Sequence, residues 1–599
     1  MKSGFLKDVG CVVGFLLLII LNGCGSPDNQ TDDEKLPDVT AEGQPDDATP
    51  PDDSDPVAGS PEAGETAEPA APEPSIDQPS PDDAPAVPPA VPDTDQSTEA
   101  ADPAEPGSAA GGDNSSLQFS ESTSSNGPRS GKGEVDPDFD PIKEHGPIFV
   151  GWPKPRLAIV FTGRVDGYIE PCGCAGLEKM KGGMNRRHAL FRNLRRKRGW
   201  PTVGIDVGGI AKGYGKQAEL KFQAMVESMR TMDYDAIALG GSDLRLPTGE
   251  LVAVAADTGD HNSPFLSANV ALFDFAAGLT NTVQFVEESG IKLGVTGILG
   301  NSYRQEINNP ELQMIDAEKA IEKVLPKLVE NSNLQILLAH ASMDQSVALA
   351  KRFPEFDIVV TAGGAPEPPA KPETVEGTET LLIEVGEKGM TATVLALYDD
   401  PQRPWRYQRV PLDSRFPHSE PMHALLVAYQ KQLEDLGWEG LGLRPVPDPK
   451  QKVNGKFVGT KECRNCHEPS YDVWKKSGHA KAWETLEELQ PSRIHDPECV
   501  SCHVVGWHPT KYFPYENGFW TEKTTPHLVD VGCESCHGPG EKHVWAETYG
   551  DEAERERYRQ AVVITKEDSR EWQCVTCHDL DNSPEFDFDT YWPEVEHYE

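Results

Sequence analysis

Between residues 153 and 400, short β-branched apolar runs alternate with longer stretches in which apolar positions recur every three or four residues. RLAIVFT (156–162), PTVGID (201–206), DAIAL (235–239), PFLSAN (264–269), IKLGVTGI (291–298), QILLAH (335–340), FDIVVTA (356–362), TLLIEV (380–385) and TATVLAL (391–397) predict strands. The amphipathic stretches 182–198, 216–232 and 316–332 predict helices between some of them. This alternation predicts a layered α/β domain over 153–400, with any site in the loops beyond the carboxyl ends of the strands. The pentapeptide Glu170-Pro171-Cys172-Gly173-Cys174 lies just beyond the first strand. Residues 401–451 read as a connector: a polar stretch, a helical run MHALLVAYQKQLEDLG (422–437), and RPVPDP (444–449), whose prolines end it.

The amino terminus follows another pattern. Residues 1–23 have a basic start, an apolar core and small residues before Cys24, which predicts an export signal too short to span a membrane comfortably. Leu21-Asn22-Gly23-Cys24 resembles a bacterial lipobox, and the resemblance implies cleavage before Cys24 and lipidation of its sulfur. The chain is then anchored to a membrane rather than spanning it, in the bacterial cell envelope, facing the periplasm or on the outer membrane. From Gly25 to Pro128 there are 25 acidic residues against Lys35 alone, which accounts for −24 of the formal charge of −43. Poor in aromatics and rich in Pro, Ala and Ser, residues 24–145 are expected to form a disordered acidic tether of about 60 Å mean span. Nucleic acid is not an expected partner for so acidic an exported chain.

Cysteine supplies the chemistry. Eight of the twelve fall in four copies of C-x-x-C-H: Cys463, Cys466 and His467; Cys499, Cys502 and His503; Cys533, Cys536 and His537; Cys574, Cys577 and His578. Two thiols three positions apart on a helical turn can each add to a haem vinyl group, and the adjacent His reaches the iron from the same side. A lone copy reads equally as half of a zinc site; four copies after residue 450 point to four covalently bound haem c groups. Residues 452–599 are too few for a conventional core around four haems, so the macrocycles must supply much of the buried apolar surface and pack close together. Ten of the 16 histidines lie after residue 450, and His479, His495, His508, His527, His543 and His597 stand outside the motifs. They suffice as sixth ligands for four irons.

Residues 153–400 also resemble the 5′-nucleotidase type of metallophosphoesterase, in element order and punctuating positions. The family binds two metals through D-x-H, G-D, G-N-H-[DE], a lone His and G-H-x-H at strand ends. Here Arg164 stands at the aspartate of the first motif and Asp166 at its histidine; the second reads Gly208-Gly209, the third keeps only Asp243, the last reads Gly363-Gly364-Ala365-Pro366, and His340 survives. A two-metal hydrolase needs ligands around both ions, so the resemblance implies a scaffold with a degenerate site and no divalent metal. Cys172 and Cys174, next to that vacated site, read either as a buried pair fixing a tight loop, as a redox-active pair, or as a soft-metal site. The basic run 186–198 reads as a solvated helix face, with His188 at the surface.

The last 148 residues resemble the cytochrome c-554 family through FVGTKECRNCH (457–467), SGHAKAWETL (477–486), DVGCESCHGPGEKH (530–543) and YWPEVEH (591–597). The resemblance implies a mainly helical, haem-packed module in which His479, His543 and His597 are distal iron ligands. His508 and His527 are candidates for a fourth, and the family also contains a five-coordinate haem. The reading as a whole is a lipid-anchored tetrahaem electron carrier between a redox donor and a redox acceptor, with the α/β domain as docking or sensing module and no residues assigned to catalysis. A redox enzyme acting on a small nitrogen or sulfur compound at an open haem is the second reading, and phosphoester hydrolysis a weaker third.

Overall fold

The computed structural model describes residues 139–171, 179–255, 263–583 and 586–598. The export signal, Cys24, the acidic tether up to residue 138, and the loop with Cys172 and Cys174 lie outside the described residues.

Among the described residues, fourteen strands precede the haem motifs: β1 Leu157–Thr162, β2 Thr202–Asp206, β3 Ala236–Ala238, β4 Phe265–Leu266, β5 Val270–Leu272, β6 Gln284–Glu288, β7 Ile291–Leu299, β8 Leu312–Met314, β9 Leu334–His340, β10 Ile358–Thr361, β11 Glu373–Thr374, β12 Leu381–Glu384, β13 Thr391–Leu397 and β14 Trp405–Pro411. One six-stranded sheet runs β14-β13-β1-β2-β3-β4, parallel from β1 to β4 and antiparallel at β13 and β14. The other runs β11-β12-β10-β9-β7-β6, parallel through its middle four strands and antiparallel at both edges.

Side chains alternate across a strand, and here both faces are apolar, so each sheet is covered twice. Leu157, Ile159 and Phe161 of β1 share one core with Leu293, Ile336 and Ile358 of the other sheet. Their neighbours Ala158 and Val160 turn the other way, toward Phe191, Phe222 and Met225 on the helices Met184–Arg192 and Lys216–Thr231. Leu337, Ala339 and Val359 meet the helices Ala317–Asn331 and Met343–Arg352. The result is four layers, helix on sheet on sheet on helix, and each fully buried Leu, Ile or Phe contributes roughly 1.5–3 kcal/mol by leaving water.

The sheet runs on past residue 400: β14 lies inside the stretch 401–451, hydrogen-bonded to β13 from Trp405 to Pro411. The helix Glu420–Gly440 then packs along Lys216–Thr231, and its Leu426, Tyr429 and Leu433 join Leu220 in a fourth core with Trp483, Leu486, Val500 and Phe519 of the haem-motif region. That region is a set of short helices, among them Thr460–Arg464, Pro497–His503, Cys533–His537, Glu541–Tyr549 and Glu552–Val562, with one small hairpin at Trp507–His508 and Phe513–Pro514. The basic run is less solvated than its composition suggests. Arg186 and Arg187 are buried, Arg195 donates to the carbonyls of Thr202 and Asp233, and His188 is hydrogen-bonded to Ser419.

Candidate haem centres and a collapsed strand-end site

At the carboxyl end of β1 the chain turns sharply, with Arg164 and Asp166 both at positive φ, 46° and 50°. Few non-glycine residues adopt that conformation, and it is held here by a ladder onto the loop after β2. The N–H groups of Arg164, Asp166 and Gly167 donate to the carbonyls of Gly208, Gly209 and Ile210 at 2.8, 2.9 and 2.8 Å. The Arg164 guanidinium donates to Glu387 at 2.8 Å and to the Ala362 carbonyl at 3.3 Å. Burial lifts the Asp166 carboxyl above its usual range, against the pull of Arg164.

Asp243 is fully buried and accepts four backbone N–H groups, from Gly209, Ile210, Ala211 and Gly240, at 2.7–2.9 Å. The surviving acid is therefore a knot tying the loop after β2 to the loop after β3. At Gly209, φ is +83° and a Cβ would stand 3.1 Å from His340 Cε1 and 3.3 Å from Arg164 Cα. At Gly240 a Cβ would stand 2.1 Å from the Gly209 nitrogen. The loops after β1, β2 and β3 are packed onto one another here, and among the described residues no group of three or more His, Cys, Asp or Glu is placed to hold a metal ion. Arg164, Asp243 and His340 are brought together around Gly209, but as packing and hydrogen-bonding partners.

His340, at the end of β9, is 3% exposed. Its Nδ1 lies 3.1 Å from the Val207 carbonyl, and because a carbonyl only accepts, Nδ1 carries the proton. Burial pushes its pKa down to about 4; the bond to Val207 opposes this and the charge of Arg164 adds to it. An unfolded histidine titrates near 6.5. Above that value the group contributes nothing; as pH falls from 6.5 toward 4, the unfolded chain gains a proton that the folded chain refuses, and stability drops by about 1.4 kcal/mol per pH unit. The expected result is a larger loss of melting temperature between pH 7 and pH 5 in the native chain than in His340→Gln. Equal losses in the two proteins would contradict it.

Sequence reasoning missed one cluster beside this site. Asp206, at the end of β2, is fully buried; it accepts from Thr162 Oγ1 at 2.6 Å and faces the buried Arg187 guanidinium at 3.6 Å, with Tyr234 OH 2.9 Å from the same hydroxyl. Its signal was a lone carboxylate inside an otherwise apolar strand.

In the haem-motif region the short helices position the cysteines. Asp496 caps the helix Pro497–His503 by accepting from the Glu498 N–H at 3.1 Å, and this helix carries Cys499, Cys502 and His503. Cys533–His537 is itself one helix. The motifs are brought together at their cysteines: Cys463 neighbours Cys533, Cys536 neighbours Cys574, and Cys577 neighbours Cys502.

Three motif histidines face a second histidine. The ring centroids of His467 and His543 are 6.1 Å apart, those of His578 and His479 6.1 Å, and those of His537 and His597 6.0 Å. Two metal–nitrogen bonds of about 2 Å, with half the width of each imidazole ring, need a separation of about 6 Å. The pairs therefore fit one iron each. Second partners orient the rings: His537 Nδ1 lies 2.8 Å from the Val562 carbonyl, His503 Nδ1 2.6 Å from the Ala482 carbonyl and His597 Nδ1 2.7 Å from the Val595 carbonyl, which leaves each Nε2 free of its proton for a metal. Burial pushes the pKa of His479 down to about 4, helped by His578 and His503, and lowers those of His503, His537, His543 and His578. His508 and His527 are placed differently. His508 packs 5.1 Å from the ring of Phe513, and His527 lies against Gly459.

A cavity of about 590 Å³ runs between these motifs. Cys499, Cys502, His503, His578 and His479 line it, and so do residues of the α/β domain, Gly167 to Pro171 and Lys221.

Residues 462–538 match the family model described as cytochrome c554 and c-prime. Over 101 residues the chain is 38% identical to cytochrome c-554 of Nitrosomonas europaea, covering 15% of this chain and 40% of that protein. The chain thus spans two fifths of the curated relative it matches, and the family model covers three of the four motifs. Among solved structures the chain is similar to the sulfate thiohydrolase SoxB of Thermus thermophilus (TM-score 0.39, 16% identity, 47% of this chain and 62% of that one). It is similar also to a 5′-nucleotidase precursor from Thermus thermophilus (TM-score 0.39, 22% identity, 47% and 59%) and to a putative 5′-nucleotidase from Staphylococcus aureus (TM-score 0.38, 20% identity, 54% and 66%).

Proposed function

We propose that the chain is a tetrahaem electron carrier, exported and held at the bacterial envelope by a lipid on Cys24, which passes electrons between a redox donor and a redox acceptor. The observation that carries this reading is the set of three histidine pairs at 6.0–6.1 Å. Haem c, when bound, supplies one-electron exchange at an iron whose axial ligands and surroundings set its potential.

The chain's own residues do the rest. Cys463 and Cys466, Cys499 and Cys502, Cys533 and Cys536, and Cys574 and Cys577 provide the thioether anchors, and the histidine after each pair the proximal ligand. His543, His597 and His479, paired with His467, His537 and His578, would supply a second iron ligand at those three haems. The neighbouring cysteines support a linear order of attachment sites, the first motif, then the third, the fourth and the second. Membrane attachment needs no spanning segment, and no helix among the described residues is long and apolar enough to cross a membrane.

The test is intact-mass analysis of the ectodomain with peptide mapping of each motif, followed by ferric EPR. Four added haem masses, one per motif, with at least three low-spin centres, is the expected result. An unmodified motif, or high-spin iron throughout, would overturn the reading.

A further inference from the structure

The helix Lys216–Thr231 belongs to the α/β domain, yet its Lys221 points into the haem-motif region. The Lys221 amine donates to both carboxylate oxygens of Glu498, at 2.7 and 2.8 Å, and the lysine side chain is 10% exposed. Glu498 directly precedes Cys499 on the helix that ends in His503. Around it, Gln217 and Gln430 each donate to Asp496 at 2.8 Å, and Arg493 donates to Glu170 at 3.0 Å with both side chains nearly buried. Lys221 and Glu170 also line the cavity shared with Cys499, Cys502 and His503.

We infer that the α/β domain is part of the haem-binding site at Cys499, Cys502 and His503, and that Lys221 raises that haem's affinity for an electron. The inference rests on the electron-carrier reading above. Holding a charged amine away from water is unfavourable, and a purely structural contact here would be served as well by an apolar pair. Instead the site keeps an ion pair beside the haem-bearing turn, in which the buried Lys221 charge offsets the carboxylate of Glu498 next to Cys499. Burial opposes the charged form of Lys221, but Glu498 and Asp496 outweigh it and hold the amine protonated. Such a charge stabilises the reduced state of a neighbouring redox centre, and burial with local charge is one of the levers a protein has on haem potential.

The experiment is a spectroelectrochemical titration of the four-haem ectodomain, comparing native protein, Lys221→Met and the double variant Lys221→Met/Glu498→Gln. In the single variant one midpoint is expected to fall while the other three hold. In the double variant, which removes the charge of both partners, that midpoint is expected to return toward the native value. Four unmoved midpoints would overturn the inference, and so would an equal shift in the single and double variants, which would mark a packing change rather than a charge effect. Should Lys221→Met fail to fold, Lys221→Gln carries the same expectation. A native protein with no haem on Cys499 and Cys502 would overturn the proposed function, and this inference with it.

Discussion

Replacing His479 by glycine is expected to convert one haem of the ectodomain from low-spin to high-spin and to give the reduced protein one equivalent of carbon monoxide uptake beyond the native level. His479 sits on a short turn, Gly478–Lys481, far in sequence from the motif it serves, with its ring 6.1 Å from that of His578. Burial holds it neutral down to about pH 4, so at neutral pH its ring nitrogen is a ligand rather than a cation. Glycine removes the ring and leaves a pocket open to an external ligand, while the covalent anchors Cys574 and Cys577 keep the haem in place. His543→Gly and His597→Gly carry the same expectation at the haems of His467 and His537. An unchanged EPR spectrum and unchanged carbon monoxide uptake in His479→Gly would show that the pair does not share an iron.

The α/β domain offers the largest expected loss of stability. Asp243→Ala is expected to cost at least about 4 kcal/mol, because four buried N–H donors lose their acceptor at roughly 1–3 kcal/mol each. Asp243→Asn is expected to fall between, since its NH2 group must face two of those donors. The amides of Gly209 and Gly240 point to one carboxylate oxygen, and those of Ile210 and Ala211 to the other. Thermal melts followed by intrinsic fluorescence, with haem absorbance recorded in parallel, separate this domain from the haem module. A melting temperature within a degree or two of native in Asp243→Ala would mean that the two loops are held by something else.

Much of this was legible in the sequence, for reasons that differ from residue to residue. The four C-x-x-C-H motifs could be read because their spacing is local and survives any fold. That His479, His543 and His597 face motif histidines could be anticipated only through a family resemblance, since a contact such as that of His537 with His597 spans 60 residues and leaves no local signal. The central strands announced themselves by unbroken apolar runs. The edge strands β6, QFVEE, and β14, WRYQRVP, did not, because each is only partly buried and mixes polar with apolar residues. The glycine at 209 was plain, but not the close approach of His340 and Arg164 to it. Arg187 looked like one more surface cation until Asp206, 19 positions along the chain, supplied its buried partner.

The crowding at Gly209 and Gly240 works like a latch. A side chain at 209 would press on the His340 ring and the Arg164 backbone, and any side chain at 240 would meet the Gly209 main-chain nitrogen. Neither position takes a larger residue unless the loops after β2 and β3 come apart, so the two loops shift together or not at all.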